Sequence, residues 1–136
     1  MGIIAGIAVA LLAALLGRVA GFDRDRAFYP TLLIVVASYY VLFAAIGGST
    51  HALLAESAVM VVFVAAAVAA FRSRLWIAAV GLVGHGVFDV LMHGHLVTNP
   101  GMPAWWPPFC AAFDVTAGVV LAWLLTRGRP SVVGSR

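Results

Sequence analysis

Residues 84–95, GHGVFDVLMHGH, hold three of the chain's four histidines and one of its five acidic residues. His85, Asp89 and His93 recur at i, i+4 and i+8, which is one face of an α-helix turning about 100° per residue. His95 falls off that stripe. Imidazole and carboxylate together form a ligand set that suits zinc, iron or manganese.

The other acids answer the stripe. Outside the loop holding Asp23 and Asp25, the acidic residues are Glu56, Asp89 and Asp114, one in each of three successive apolar blocks. A charge inside a bilayer costs at least about 2.5–3.5 kcal/mol on insertion scales. The chain has no Lys, and its arginines fall at the ends of the blocks. The carboxyls therefore need hydrogen bonds from His and Tyr, or a divalent cation. In the second case His85, Asp89, His93 and Asp114 are the expected ligands. Glu56 is then a further ligand or the general base on a metal-activated water. Tyr39 and Tyr40 are expected in the same layer, with His51 above it at the mouth and Cys110 one turn above Asp114. Each group also has a plainer role: the histidines as helix–helix hydrogen-bonding residues, the acids as partners of Tyr or backbone, Cys110 as a small packing residue.

The elements that must position these groups follow from composition. Of 136 residues, 64% are hydrophobic and 10% charged, with mean hydropathy +1.09. A soluble domain is nearer half apolar and a quarter charged. The apolar residues fall in blocks of roughly 20, the length of a membrane span. The chain reads as a single all-α transmembrane domain over 1–127, followed by a polar cytoplasmic tail, 128–136, expected to be disordered. All eight basic residues are Arg, and the net charge is +3. Because they sit singly or in pairs at block ends, a nucleic-acid partner is not indicated. The single cysteine excludes an internal disulfide.

Five helices are predicted, over about 1–22, 28–47, 50–71, 75–97 and 108–126. The first has no basic residue before its apolar core, so it reads as a retained helix rather than a cleaved signal. The GGST stretch ends helix 2 and offers Ser49 or Thr50 as the next N-cap. The TNPGMPAWWPP stretch is a loop. Glycines 81, 84, 86 and 94 make helix 4 slim, so that its neighbours can approach closely. With five spans every arginine falls on one side. The positive-inside rule makes that side cytoplasmic, with the N-terminus out and the C-terminus in. The expected location is the cytoplasmic (inner) membrane of a bacterium, with Trp105 and Trp106 at the outer interface. Counted from the outer helix ends, Glu56, Asp89 and Asp114 all lie roughly 10 Å deep.

The run GHGVFDVLMHGH followed by WWPPFCAAFD resembles a family of small bacterial and fungal integral membrane proteins catalogued as a domain of unknown function. The matching positions are Gly84, His85, Asp89, His93, Trp106, Pro107, Cys110 and Asp114, covering roughly helices 4 and 5. The resemblance implies a membrane location and a shared pocket, and implies no activity. The alkaline ceramidase and progestin-receptor-like hydrolases are similar in ligand type, holding zinc with His and Asp from several membrane helices. This chain lacks their seven helices and their full spacing.

The favoured expectation is a divalent-metal site in the outer third of the bundle, serving a small membrane hydrolase with a lipid-like or small amphiphilic substrate. A proton- or ion-coupled carrier using the same groups as a relay is the main rival. The apolar inner halves of helices 3 to 5 count against it. The other rivals are a structural or accessory subunit locked by its polar residues, and haem ligation by two histidines on different helices. Only His51 lies off helix 4, and three carboxylates would be odd company for a haem.

Overall fold

A computed structural model describes residues 1–93 and 95–127. Gly94 and the expected disordered tail, 128–136, lie outside the described residues. The helices are α1 (Gly2–Ala20), α2 (Phe28–Ile46), α3 (Thr50–Arg72), α4 (Trp76–Met92) and α5 (Trp106–Thr126), with a short 3-10 turn at Phe22–Arg24 between α1 and α2. Four of them are long and apolar enough to cross a membrane, and α4 is a shorter apolar helix of 17 residues. The molecule is a multi-pass helical membrane bundle.

The packing order puts α5 between α1 and α4, α4 against α3, and α3 against α2. Leu33, Leu82, Leu121, Ala67, Ala70 and Ala78 form the buried apolar interior. Large apolar side chains such as Ile4, Leu12, Val62, Val80 and Val119 face outward. Against lipid tails this is no penalty, because a bilayer solvates Leu as well as a protein core does.

Small residues decide how closely the helices approach. A Cβ placed on Gly86 would lie 2.9 Å from the Ala111 carbonyl oxygen, and one on Gly118 would lie 2.9 Å from the Ala79 carbonyl oxygen. The α4 and α5 backbones are thus nearly in contact along two turns. Gly81 faces only the flexible Leu33 side chain, and Gly84 faces open space. The expectation of a slim helix 4 therefore holds at Gly86 in particular.

The two ends of the bundle differ in chemistry. At one end Arg26 donates to the carbonyls of Phe71 (3.2 Å) and Ser73 (2.9 Å), tying the loop before α2 to the C-terminus of α3. A cation there also complements the helix dipole. At the other end Gly101 packs backbone to backbone on Gly47 and the Phe43 carbonyl. A side chain on either glycine would collide with main chain. Ser49 caps α3 by accepting from the Ala52 amide at 3.2 Å.

One expected boundary is corrected. Helix 4 was expected to run to about residue 97, and α4 ends at Met92, with His93 in an extended conformation (φ −76°, ψ 128°). The amides of Leu96 (2.9 Å) and Val97 (3.0 Å) turn back to the Met92 carbonyl and satisfy the open helix end. The residues beyond include Gly94, Val97 and Thr98, all weak helix formers. Leaving the helix here also lets the chain carry Asn99 back into the bundle.

Candidate functional site

Two buried polar groups lie side by side and meet at Asp89. The first is built by α4 and α5. His85, Asp89, Cys110 and Asp114 each present a ligating atom, all within 4.8 Å of one another. Their side chains are fully buried, Asp89 and Asp114 at 0% exposure. Each pair stands four apart on its helix, so each shares a face. The close approach at Gly86 brings the two faces together.

His85 Nδ1 is 2.6 Å from Asp114 Oδ2. With the carboxylate ionised, the imidazole N–H is the donor. The Cys110 thiol donates weakly to Asp114 Oδ2 at 3.6 Å. Asp89 Oδ2 is 3.5 Å from His85 Nδ1. Neither Asp89 oxygen nor Asp114 Oδ1 has a hydrogen-bond partner among the described residues.

The second group joins α3, the end of α4 and the segment that follows it. His93 Nε2 is 3.0 Å from Glu56 Oε1. Asn99 Nδ2 donates to Glu56 Oε1 at 3.1 Å and to the Tyr40 carbonyl at 3.0 Å. The Tyr40 ring stacks on His93 with centroids 4.2 Å apart and planes 17° from parallel. His93 still reaches the stripe although it lies past the helix. Its amide bonds the Asp89 carbonyl at 3.3 Å, and its Nδ1 lies 3.6 Å from Asp89 Oδ1.

The expected residues thus divide. His85, Asp89 and Asp114 come together, and Cys110 joins them as a fourth donor where packing was the plainer expectation. His93 and Glu56 pair with each other and touch the first group through Asp89. Tyr40 lines the site. Tyr39 is partly exposed and packs on Trp106, with centroids 4.9 Å apart. His51 is exposed at the start of α3. Asn99 was not singled out from the sequence, because it lies in a loop rich in Pro and Gly. The one available signal was its Asn-Pro pair, which marks a turn and says nothing of depth.

No protein-family model, no curated protein and no solved structure matches the chain.

Proposed function

We propose that the protein is a small intramembrane metalloprotein holding a divalent cation between α4 and α5, and that it acts as a hydrolase on a lipid-like or small amphiphilic substrate. One observation carries the metal reading. Four donors of types N, S, O and O converge within 4.8 Å, and three of the carboxylate oxygens in that group are buried without partners. Buried carboxylate oxygens are costly unless bonded or neutralised. Nitrogen, thiolate and carboxylate together favour zinc or iron over the hard cations.

Taking up an ion requires one local change. Two donors on a tetrahedral ion stand about 3.4 Å apart, given bonds near 2.1 Å. The 2.6 Å contact between His85 and Asp114 is a hydrogen bond. The proton shared by His85 Nδ1 and Asp114 Oδ2 must therefore leave, and the two side chains must part by nearly 1 Å. Metal binding at this site is accordingly linked to proton release.

Held by His85, Asp89, Cys110 and Asp114, a divalent ion would supply Lewis-acid polarisation of a carbonyl or phosphoryl oxygen and a more acidic water. The chain's own part is to orient and shield: Gly86 holds the helices together, and the aromatic rings of Tyr40 and Phe63 close over His85. The rival relay has one observation in its favour. Glu56, His93, Asp89, His85 and Asp114 form an unbroken file with neighbouring contacts between 2.6 and 3.6 Å. That file runs from helix to helix, and the buried residues nearer the arginine-bearing end are apolar, among them Ala70, Ala78 and Leu121.

The test is the metal content of protein purified in detergent without chelator, for wild type, Cys110→Ser and Asp114→Asn. Bound zinc or iron is expected in wild type and should fall at least tenfold in Asp114→Asn. Wild-type protein that carries no metal and takes up none of zinc, iron or manganese overturns the reading, leaving the relay and the polar lock.

A further inference from the structure

His93 and Asp89 face each other in an arrangement that hydrogen bonding leaves unexplained. His93 Nε2 lies 3.0 Å from Glu56 Oε1, which also accepts from Asn99 Nδ2 at 3.1 Å. In the tautomer that donates Nε2–H to Glu56, Nδ1 keeps its lone pair. That lone pair meets Asp89 Oδ1 at 3.6 Å. Both atoms are fully buried and lack a hydrogen-bond partner among the described residues. In that tautomer two acceptors face each other, and the nearby donor is the Tyr40 hydroxyl, itself buried without a partner beside Asp89.

The separation itself is informative. A distance of 3.6 Å is too long for a hydrogen bond. It is close to the roughly 3.4 Å that separates two donors on one ion with bonds near 2.1 Å. The same holds on the other side of the carboxylate, where Asp89 Oδ2 stands 3.5 Å from His85 Nδ1. Asp89 thus offers one oxygen to each histidine. Carboxylates shared in this way bridge ions about 3.5–4 Å apart in two-metal centres.

Glu56 and Asn99 complete the second half as an outer shell. A ligating histidine almost always gives its other N–H to a carboxylate or carbonyl, which sets its tautomer and orientation. Glu56 does this for His93, Asn99 holds Glu56, and the Tyr40 ring lies flat against the imidazole.

We infer that the protein binds a second divalent cation between His93 Nδ1 and Asp89 Oδ1, with Asp89 bridging it to the ion held by the α4–α5 group. The second ion has only nitrogen and oxygen ligands, while the first has the Cys110 thiolate. This inference rests on the metal reading of the first group, and the experiment separates the two.

The experiment is titration of the metal-free full-length protein in detergent with cobalt(II). It is followed by bound-metal analysis, electronic spectra and electron paramagnetic resonance of the cobalt-loaded protein. Wild type should bind two equivalents. One should bring a thiolate-to-cobalt band in the near ultraviolet, and the other only weak visible bands. Two cobalt ions at this spacing should give an exchange-coupled spectrum. His93→Gln should bind one equivalent and keep the thiolate band, which also reports that the first site is still folded. A wild type that binds one equivalent with the thiolate band overturns the second site and leaves the first. Two equivalents without exchange coupling also overturn the inference, because the second ion then lies elsewhere. No binding at all overturns both. The wild-type measurements decide the matter even if His93→Gln fails to fold.

Discussion

Asp89 is fully buried, and neither of its oxygens is hydrogen-bonded among the described residues. It sits between two imidazoles at 3.5 and 3.6 Å. A buried carboxylate in such a position must be neutralised by something its neighbours hold. Asp89→Asn keeps the size and the polarity and removes the charge. With a metal centre, bound zinc or iron should fall at least tenfold in Asp89→Asn, while thermal unfolding in detergent stays near that of wild type. With a polar lock, Asn is tolerated and there is no metal to lose. Asp89→Leu then destabilises by roughly 0.6–2 kcal/mol, the scale of interhelical hydrogen bonds in membranes. Metal content and unfolding curves of the same three proteins tell the two apart.

The elements are held by two kinds of contact that side chains alone would not suggest. One is the backbone approach of α4 and α5 at Gly86. A methyl group there meets the Ala111 carbonyl at 2.9 Å and Val115 Cγ2 at 3.0 Å. Gly86→Ala should therefore cost about 1–3 kcal/mol by overpacking and should weaken metal binding, because it moves His85 and Asp89 away from Asp114. Gly84→Ala, which meets nothing within 4 Å, should leave both unchanged or raise stability slightly. Thermal unfolding and bound metal of the two variants check this. The other contact is Asn99, which ties the segment between α4 and α5 to Tyr40 and Glu56. Asn99→Ala should cost roughly 0.6–2 kcal/mol and should remove His93 from its fixed orientation, while metal uptake by the Cys110 group should be unchanged.

At the scale of the whole molecule, charge and polar layer lie at opposite ends. Arg26 meets the C-terminus of α3, where Ser73 and Arg74 follow. Glu56, His93 and Asn99 lie toward the end where Gly47 meets Gly101. By the positive-inside rule the arginine end is expected to be cytoplasmic, and the site should then open toward the other side. A reporter active only in the cytoplasm should work when fused at the C-terminus and fail when fused after Gly101. The opposite pattern would turn the bundle over and place the site at the inner face. The same orientation would put Trp105, exposed beside the start of α5, at the outer headgroup level.

Much of this arrangement was legible in the chain itself. Apolar blocks separated by arginines and by Gly or Pro are enough to specify membrane helices, because the bilayer demands about 20 apolar residues per span. The i, i+4 spacings of His85 with Asp89 and of Cys110 with Asp114 are also local, since helical geometry puts each pair on one face. What the chain alone could not decide was which face meets which. Helix rotation depends on backbone approach, here on Gly86 against Ala111, and that is a property of two helices together. Cys110 therefore became a donor beside Asp114, while Tyr39 turned outward and Tyr40 turned in. The end of α4 at Met92 and the depth of Asn99 were likewise hidden. A loop residue enters a membrane bundle only where its amide finds buried acceptors, and those acceptors, Glu56 and the Tyr40 carbonyl, belong to α3 and α2. Tertiary structure alone brings them within 3.1 Å.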